Sequence, residues 1–251
     1  MAQARPTTHR GTVDDAEIAH FSAMAEEWWD ARGKFAPLHR MNPCRIGYLR
    51  EQIVRHFGRD DARAAALDGL NLVDIGCGGG LICEPMARLG ATVTGIDASA
   101  KNIGIAQTHA AQSGVSVDYR ATTAEALAHD GAQFDVVLAL EIVEHVADTN
   151  LFYDALTALI KPGGLLILST LNRTPKSYAL AIIGAEYVLR WLPRGTHHWS
   201  KFIKPSEMAR DLTRRGLTLV DKTGITMHPL TWKFAIDSSD MNVNYLMVAK
   251  K

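Results

Sequence analysis

Leu72-Val73-Asp74-Ile75-Gly76-Cys77-Gly78-Gly79-Gly80 sets a short apolar run against a cluster of glycines. The run has the composition of a buried parallel strand. The glycines let the backbone turn sharply and approach a ligand with no Cβ in the way. Leu81 to Leu89 then has helix-forming composition, so the order is strand, glycine-rich turn, helix. A second apolar run, Thr92-Val93-Thr94-Gly95-Ile96, closes on Asp97. That acid sits about 20 residues past the turn, where a carboxylate accepts hydrogen bonds from ribose hydroxyls. Together these features predict a nucleoside-containing cofactor.

The details favour S-adenosylmethionine (AdoMet) over NAD. A dinucleotide site needs G-x-G-x-x-G, its third glycine packing helix against strand. Counted from Gly76 that third place holds Leu81, and counted from Gly78 it holds Cys83. A pyrophosphate needs an unobstructed helix N-terminus, and Asp74 at the strand end opposes one; AdoMet has no phosphate.

The chain has 251 residues, enough for one α/β domain with additions. Its 27 basic and 27 acidic residues give zero formal net charge, so no long-range field favours nucleic acid as a partner. Cys44, Cys77 and Cys83 form no C-x-x-C pair, which suits a reducing cytoplasm without disulfides or structural zinc. Met1 to Val13 is polar and lacks a signal core. No run of about 18 apolar residues predicts a membrane span.

Residues 1–13 read as a flexible tail and 14–251 as a single domain. Asp14 with Glu17 resembles a capping box opening a helix to about Trp29, with Trp28 and Trp29 as a core anchor and a lid contact. Residues 30–43 read as irregular, and a second helix is expected from Arg45 to Phe57, so that 14–57 forms a helical cover. Strands are expected at 70–75, 92–97, 115–119, 134–139 and 164–170. Helices centred on 81–89, 99–113, 122–129 and 148–161 alternate with them. This alternation predicts a Rossmann-like α/β fold, a mainly parallel sheet with helices on both faces. Residues 172–204 break the pattern as an insertion rich in aromatic and basic residues. A helix at 205–215 and strands at 217–222 and 243–249 follow, the last forming an antiparallel edge.

Nearly the whole chain from Asp14 to Lys250 resembles the class I AdoMet-dependent methyltransferases, whose sheet has seven strands. Within them it resembles the ubiquinone-biosynthesis O-methyltransferase family. The segments that carry this are Trp28-Trp29-Asp30, Phe35 to Arg45, Asp74 to Gly80, Glu141 to Val146, Ser169 to Arg173, Gly184 to Tyr187, Gly195-Thr196-His197 and Val243-Asn244-Tyr245. The glycine turn is common to many methyltransferases; Phe35 to Arg45 and Glu141 to Val146 are more selective. The resemblance implies AdoMet contacts at Arg45, Gly76, Asp97 and Leu140. It also implies two O-methylations, of a 2-polyprenyl-6-hydroxyphenol and of 3-demethylubiquinol. Other enzymes of that pathway are implied partners. An NAD-linked oxidoreductase, an O-methyltransferase for another small phenolic or lipid acceptor and a non-catalytic AdoMet-binding accessory protein are the competing classes. Ala124-Glu125 reads either as an adenine contact or as a solvated helix turn.

Glu141, Glu144 and His145 stand at i, i+3 and i+4 just beyond an apolar strand, where open α/β sheets bind ligands. Spacing leaves three readings open: a divalent-cation site, His145 as a general base without a metal, or two acids favouring a helix N-terminus. The resemblance implies the first, with magnesium acidifying a catechol hydroxyl.

A polyprenylated acceptor resides in the bilayer. In 174–203, Tyr178, Leu180, Ala181, Ile182, Ile183, Tyr187, Val188, Leu189, Trp191 and Leu192 lie among Lys176, Arg190, Arg194 and Lys201. That pattern suits either a segment lying peripherally on the inner face of the cytoplasmic membrane or a lid helix packed on the core. His39, Arg40 and Asn42 read as pocket-lining or loop-pinning residues; His197 and His198 lack a metal partner at reliable spacing.

Overall fold

The computed structural model describes residues 11–188, 198–228 and 231–251, without the side chains of 181 and 185–188. Its sheet contains β1 (Asn71–Ile75), β2 (Thr92–Asp97), β3 (Asp118–Ala121), β4 (Phe134–Leu140), β5 (Ile160–Leu171), β6 (Thr218–Met227), β7 (Phe234–Asp237) and β8 (Asn244–Lys250). The strand order is β3-β2-β1-β4-β5-β8-β6-β7. β1 to β5 are parallel. β8 runs antiparallel between β5 and β6, and β7 is an antiparallel edge on β6. The fold class is the expected one, with eight strands where seven were expected. β7 escapes sequence reading because it has four residues, one neighbour and no fully buried position.

The helices are α1 (Asp15–Ala23), α2 (Ala36–His56), α3 (Cys83–Arg88), α4 (Ala100–Ser113), α5 (Ala124–His129), α6 (Thr149–Leu159), the single turn α7 (Pro175–Ser177) and α8 (Pro205–Arg214), of which α2 to α6 and α8 pack on the two faces of the sheet. Alternate strand residues divide the core. Leu72, Val136, Leu138 and Leu165 meet Leu49, Ile53 and Met86 on one side. Val73, Val137, Ala139 and Leu166 meet Leu127, Leu156 and Leu212 on the other. This is the period of two expected when a sheet is buried on both faces. Ser99, Thr123 and Asp148 cap α4, α5 and α6 through their side chains, and Gly114 ends α4 in the left-handed conformation.

Two local expectations are corrected. The stretch read as irregular contains the first turns of α2, a 21-residue helix. Pro37 sits in its first turn, where a missing N–H costs nothing. Pro43 forfeits one interior bond, and the helix survives because Met41, Tyr48, Leu49 and Ile53 bury one face. Asp14 does cap α1, through Ala16 N and Glu17 N. Glu17 completes no box: its carboxylate instead reaches His145 and Lys201.

Because β1, β2, β4 and β5 are parallel, their C-terminal ends share one edge. Gly76, Asp97, Leu140 and Leu171 therefore rim the same cavity.

Candidate active site

The cavity, of about 450 Å³, lies under α1 and the start of α2. Its floor is the glycine turn. Gly76 has φ 72° and Gly78 φ 54°. A Cβ on Gly76 would stand 2.4 Å from Ile142 Cδ1, and one on Gly78 2.4 Å from the Trp28 ring. A side chain at either position would be strained by the left-handed backbone and would crowd its neighbour, which keeps backbone against the ligand space. Trp28 is buried, stacks on Phe35 with centroids 3.8 Å apart and donates to Asn102 Oδ1 at 3.1 Å. Trp29 donates to Gly79 O at 2.9 Å. The two tryptophans thus anchor the N-terminal cover to the turn.

Asp97 ends β2. Its Oδ2 accepts from Gly78 N at 3.0 Å, and its Oδ1 from Ser99 N at 2.8 Å and Asn102 Nδ2 at 3.2 Å. The carboxylate is thereby fixed at the cavity wall with acceptor capacity left for a ribose hydroxyl. Burial raises its pKa against these hydrogen bonds. Leu140, the last residue of β4, adds an apolar wall.

Arg45 is on the buried face of α2 and is 3% exposed. Its Nη2 donates to Asn42 Oδ1 at 2.5 Å, and Nη1 stands 3.9 Å from Glu141 Oε1. Nε and Nη1 find no hydrogen-bond partner. Burial lowers its pKa, opposed by Glu141 and Asp74. A buried guanidinium with two unanswered nitrogens has the capacity to take hydrogen bonds to an anion.

Glu141 lies just past β4 with φ 52°, a left-handed conformation that strains a non-glycine residue. Its backbone N donates to Ser169 O at 3.0 Å. Its carboxylate accepts from Ser169 Oγ at 2.7 Å and from Asn244 Nδ2 at 2.9 Å to each oxygen. His145 ends the 3-10 turn Val143–His145, and its Nδ1 lies 3.0 Å from Glu17 Oε2. Phe21 meets the imidazole edge-on, centroids 5.1 Å apart. Glu17 also binds Lys201 at 3.1 Å. Burial raises the Glu17 pKa, but His145 and Lys201 outweigh it and hold it at about 2. For His145, burial lowers the pKa; the Glu17 hydrogen bond and the Glu144 and Glu17 charges outweigh it, so the net shift is upward.

Glu144 is turned the other way. It is buried, does not line the cavity and accepts from Thr170 Oγ1 at 2.8 Å, while Oε1 finds no partner. Burial raises its pKa. Glu141 and His145 therefore reach the cavity and Glu144 does not. Among the described residues no three His, Cys, Asp or Glu side chains are arranged to hold a metal ion. The donor chemistry suits a hard cation, but as these side chains stand the placement does not fit one.

The other expectations sort by contact. Thr122, Thr123 and Ala124 line the cavity, whereas Glu125 is taken by Thr12 N at 2.9 Å and Thr12 Oγ1 at 2.7 Å. His39 is bound to Trp28 O at 2.9 Å and Asn42 to Arg45, so both pin the cover; neither they nor Arg40 line the cavity. Lys176 and Lys201 are engaged by Asp240 and by Asp14 and Glu17. Leu189, Arg190, Trp191, Leu192, Arg194 and His197 lie outside the described residues.

A family model described as a methyltransferase domain matches residues 44–222. The ubiquinone biosynthesis O-methyltransferase of Brucella anthropi is 57% identical over 244 residues, covering 97% of this chain and 98% of that protein. The chain belongs to the ubiquinone biosynthesis O-methyltransferase family. The enzyme of that name from Sinorhizobium medicae is 56% identical over 97% of this chain and 98% of its own. Among solved structures, magnesium protoporphyrin IX methyltransferase from Synechocystis with bound S-adenosylhomocysteine is similar with TM-score 0.67 and 19% identity. The alignment covers 95% of this chain and all of that one. A Thermotoga maritima AdoMet-dependent methyltransferase gives TM-score 0.61 at 18% identity, over 94% and 99% of the two chains. These two likenesses show the class I methyltransferase fold. The nucleoside cofactor expected from the glycine turn and Asp97 is therefore AdoMet.

In this O-methyltransferase, sequence reasoning missed Glu17, Asn102, Asp74 and Asn244 as site residues. Asp74 is a charge inside an apolar strand, a readable signal. It is 3% exposed, accepts from Cys83 Sγ at 3.3 Å, and has its pKa pushed up to about 7 by burial. Glu17 left no signal, because its partner lies 128 residues away.

Proposed function

We propose that this chain transfers the methyl group of AdoMet to ring hydroxyls of polyprenylated acceptors in ubiquinone synthesis. The two acceptors are the catechol-type 2-polyprenyl-6-hydroxyphenol and 3-demethylubiquinol. The observation that carries the reading is the single cavity joining the glycine turn, Asp97 and Arg45 to His145, with Leu180, Ile225, Met227 and Phe234 along its wall. Polar groups supply the grip on a nucleoside amino acid, and the apolar wall suits a ring with a hydrocarbon substituent.

AdoMet, when bound, supplies an electrophilic methyl: the acceptor oxygen forms the O–C bond, the C–S bond breaks, and its electron pair stays on sulfur as S-adenosylhomocysteine. The residues do the rest. Arg45 and Asp97 hold the two ends of the donor. His145 takes the hydroxyl proton: with Nδ1–H donated to Glu17, Nε2 carries the lone pair. Glu141 is proposed to fix the polar wall beside it, and Glu144 to support that turn through Thr170. Positioning in a site closed by α1 contributes a large share of the acceleration. The test is methyl transfer from labelled AdoMet to short-chain forms of both acceptors. Turnover of both is expected; turnover of neither, in protein that binds S-adenosylhomocysteine, would sink the reading.

We also propose that residues 174–203 rest on a membrane surface at the cytoplasmic face. Among the described residues no helix is long and apolar enough to cross a membrane. Support comes from Tyr178, Leu180, Ile183 and Trp199, which are 46%, 48%, 46% and 39% exposed in and beside the π-helical segment Tyr178–Val188. Such residues gain by entering the headgroup boundary. Flotation with anionic phospholipid vesicles tests this. The triple change Tyr178→Ser, Ile183→Ser and Trp199→Ser is expected to cut partitioning about hundredfold. Unchanged flotation would leave the segment as a lid.

A further inference from the structure

We propose that Asn244 positions the acceptor: its amide oxygen takes the hydrogen bond of the ring hydroxyl next to the one being methylated. The proposal deepens the acceptor reading above and rests on it.

The orientation of the amide is fixed by chemistry. Asn244 Nδ2 lies 2.9 Å from both Glu141 oxygens. A carboxylate only accepts, so the nitrogen must be the atom facing it. The carbonyl arm is left over. Asn244 is 8% exposed and lines the cavity, yet Oδ1 has no hydrogen-bond partner. A buried carbonyl oxygen without a donor is a cost unless something that binds there supplies one. Glu141 is itself held by Ser169 and by a strained backbone anchored on β5. The amide therefore stands on a rigid support.

Sheet order excludes the nucleoside end of the donor, and S-adenosylhomocysteine affinity separates the methionine end at Arg45, whose Nη1 is 3.9 Å from Glu141. From Asp97 at the end of β2, the path to Asn244 at the start of β8 crosses β1, β4 and β5. Four strand spacings amount to about 19 Å. The nucleoside end of the donor, over β2 and β1, is far from Asn244. The wall beside it, Leu171, Val243 and Met227, belongs to the apolar half of the cavity.

The kind of hydroxyl follows from acidity. The hydroxyl being methylated must give up its proton, and an amide oxygen is far too weak a base to take it. An amide oxygen pairs instead with a hydroxyl that keeps its proton. Both proposed acceptors carry such a group on the neighbouring ring carbon. One hydrogen bond thus lets one site take two differently substituted rings while disfavouring a monohydroxy ring.

Calorimetry in the presence of S-adenosylhomocysteine measures this without turnover. The probes are a short-chain 2-prenyl-6-hydroxyphenol and the matching 3-prenylphenol, which keeps the hydroxyl to be methylated and lacks its neighbour. Wild type is expected to bind the dihydroxy compound about tenfold to hundredfold tighter. Asn244→Ala is expected to weaken the dihydroxy compound to the level of the monohydroxy one and leave the latter unchanged. Equal losses for both would mean Asn244 only props Glu141, and the proposal fails. A drop in S-adenosylhomocysteine affinity would assign Asn244 to the donor instead, which also overturns it. The wild-type comparison needs no variant: equal binding of the two compounds refutes the proposal even if Asn244→Ala does not fold. Wild-type turnover of the dihydroxy compound, measured alongside, separates this failure from failure of the acceptor reading.

Discussion

Arg45→Ala is expected to raise the dissociation constant for S-adenosylhomocysteine by roughly 30- to 5,000-fold. Removing one member of a buried charge-assisted pair costs about 2–5 kcal/mol, and each 1.4 kcal/mol is about tenfold. The burial of Arg45 places the change in the upper part of that range. Its nearest carboxylate oxygen is 3.9 Å away, and two of its nitrogens are unanswered in the interior. A carboxylate arriving there meets an already desolvated, pre-placed cation and so needs little reorganisation. Arg45→Lys keeps the charge but loses the fork and should fall between wild type and alanine. The control is 5′-methylthioadenosine, which lacks the amino-acid end. Its affinity should be nearly unchanged in Arg45→Ala, because Asp97 and the glycine turn remain. If both ligands weaken equally, Arg45 supports the fold of α2 and does not bind the donor.

Arg45 also shows what the sequence could and could not reveal. The glycine turn, Asp97 and the alternation of β1 to β5 were legible because each depends on neighbours within a few residues. Arg45 reads as the first residue of a helix only because Pro37 and Pro43 hide the true start of α2. With the helix begun at Ala36, Met41, Arg45, Leu49 and Ile53 form a continuous buried stripe, and a charge in that stripe asks for a ligand. Glu141, Glu144 and His145 read as one helical face. The strained backbone at Glu141 and a 3-10 turn send Glu144 into the core and the other two to the cavity. No spacing rule anticipates a left-handed glutamate. Asn244 and Glu17 act through partners more than 100 residues away, and such pairings exist only once the sheet has assembled.

His145→Ala is expected to lower kcat by about 10²–10⁴-fold with little change in S-adenosylhomocysteine affinity. The pH profile gives the sharper test. With His145 as the proposed base, methyl transfer requires neutral imidazole, and the Glu17 hydrogen bond and the acidic charges hold the His145 pKa above its ordinary value despite burial. The acid limb of kcat in wild type should therefore lie above the ordinary histidine range. Glu17→Gln removes the negative charge and weakens the hydrogen bond, so burial regains ground and the limb moves to lower pH. If His145 were not the base, that limb would stay where it is. Stability carries the opposite sign. A raised histidine pKa contributes stability that is complete below the unfolded value of about 6.5 and fades as pH rises through the folded one. The depressed Glu17 pKa contributes stability above the ordinary carboxylate range and loses it as pH falls toward about 2. The clamp of α1 over the cavity is thus tightest in mildly acidic solution, while the proposed base must have lost its imidazole proton. Hydrogen exchange in α1 should accordingly quicken as kcat climbs its acid limb, and Glu17→Gln should uncouple the two.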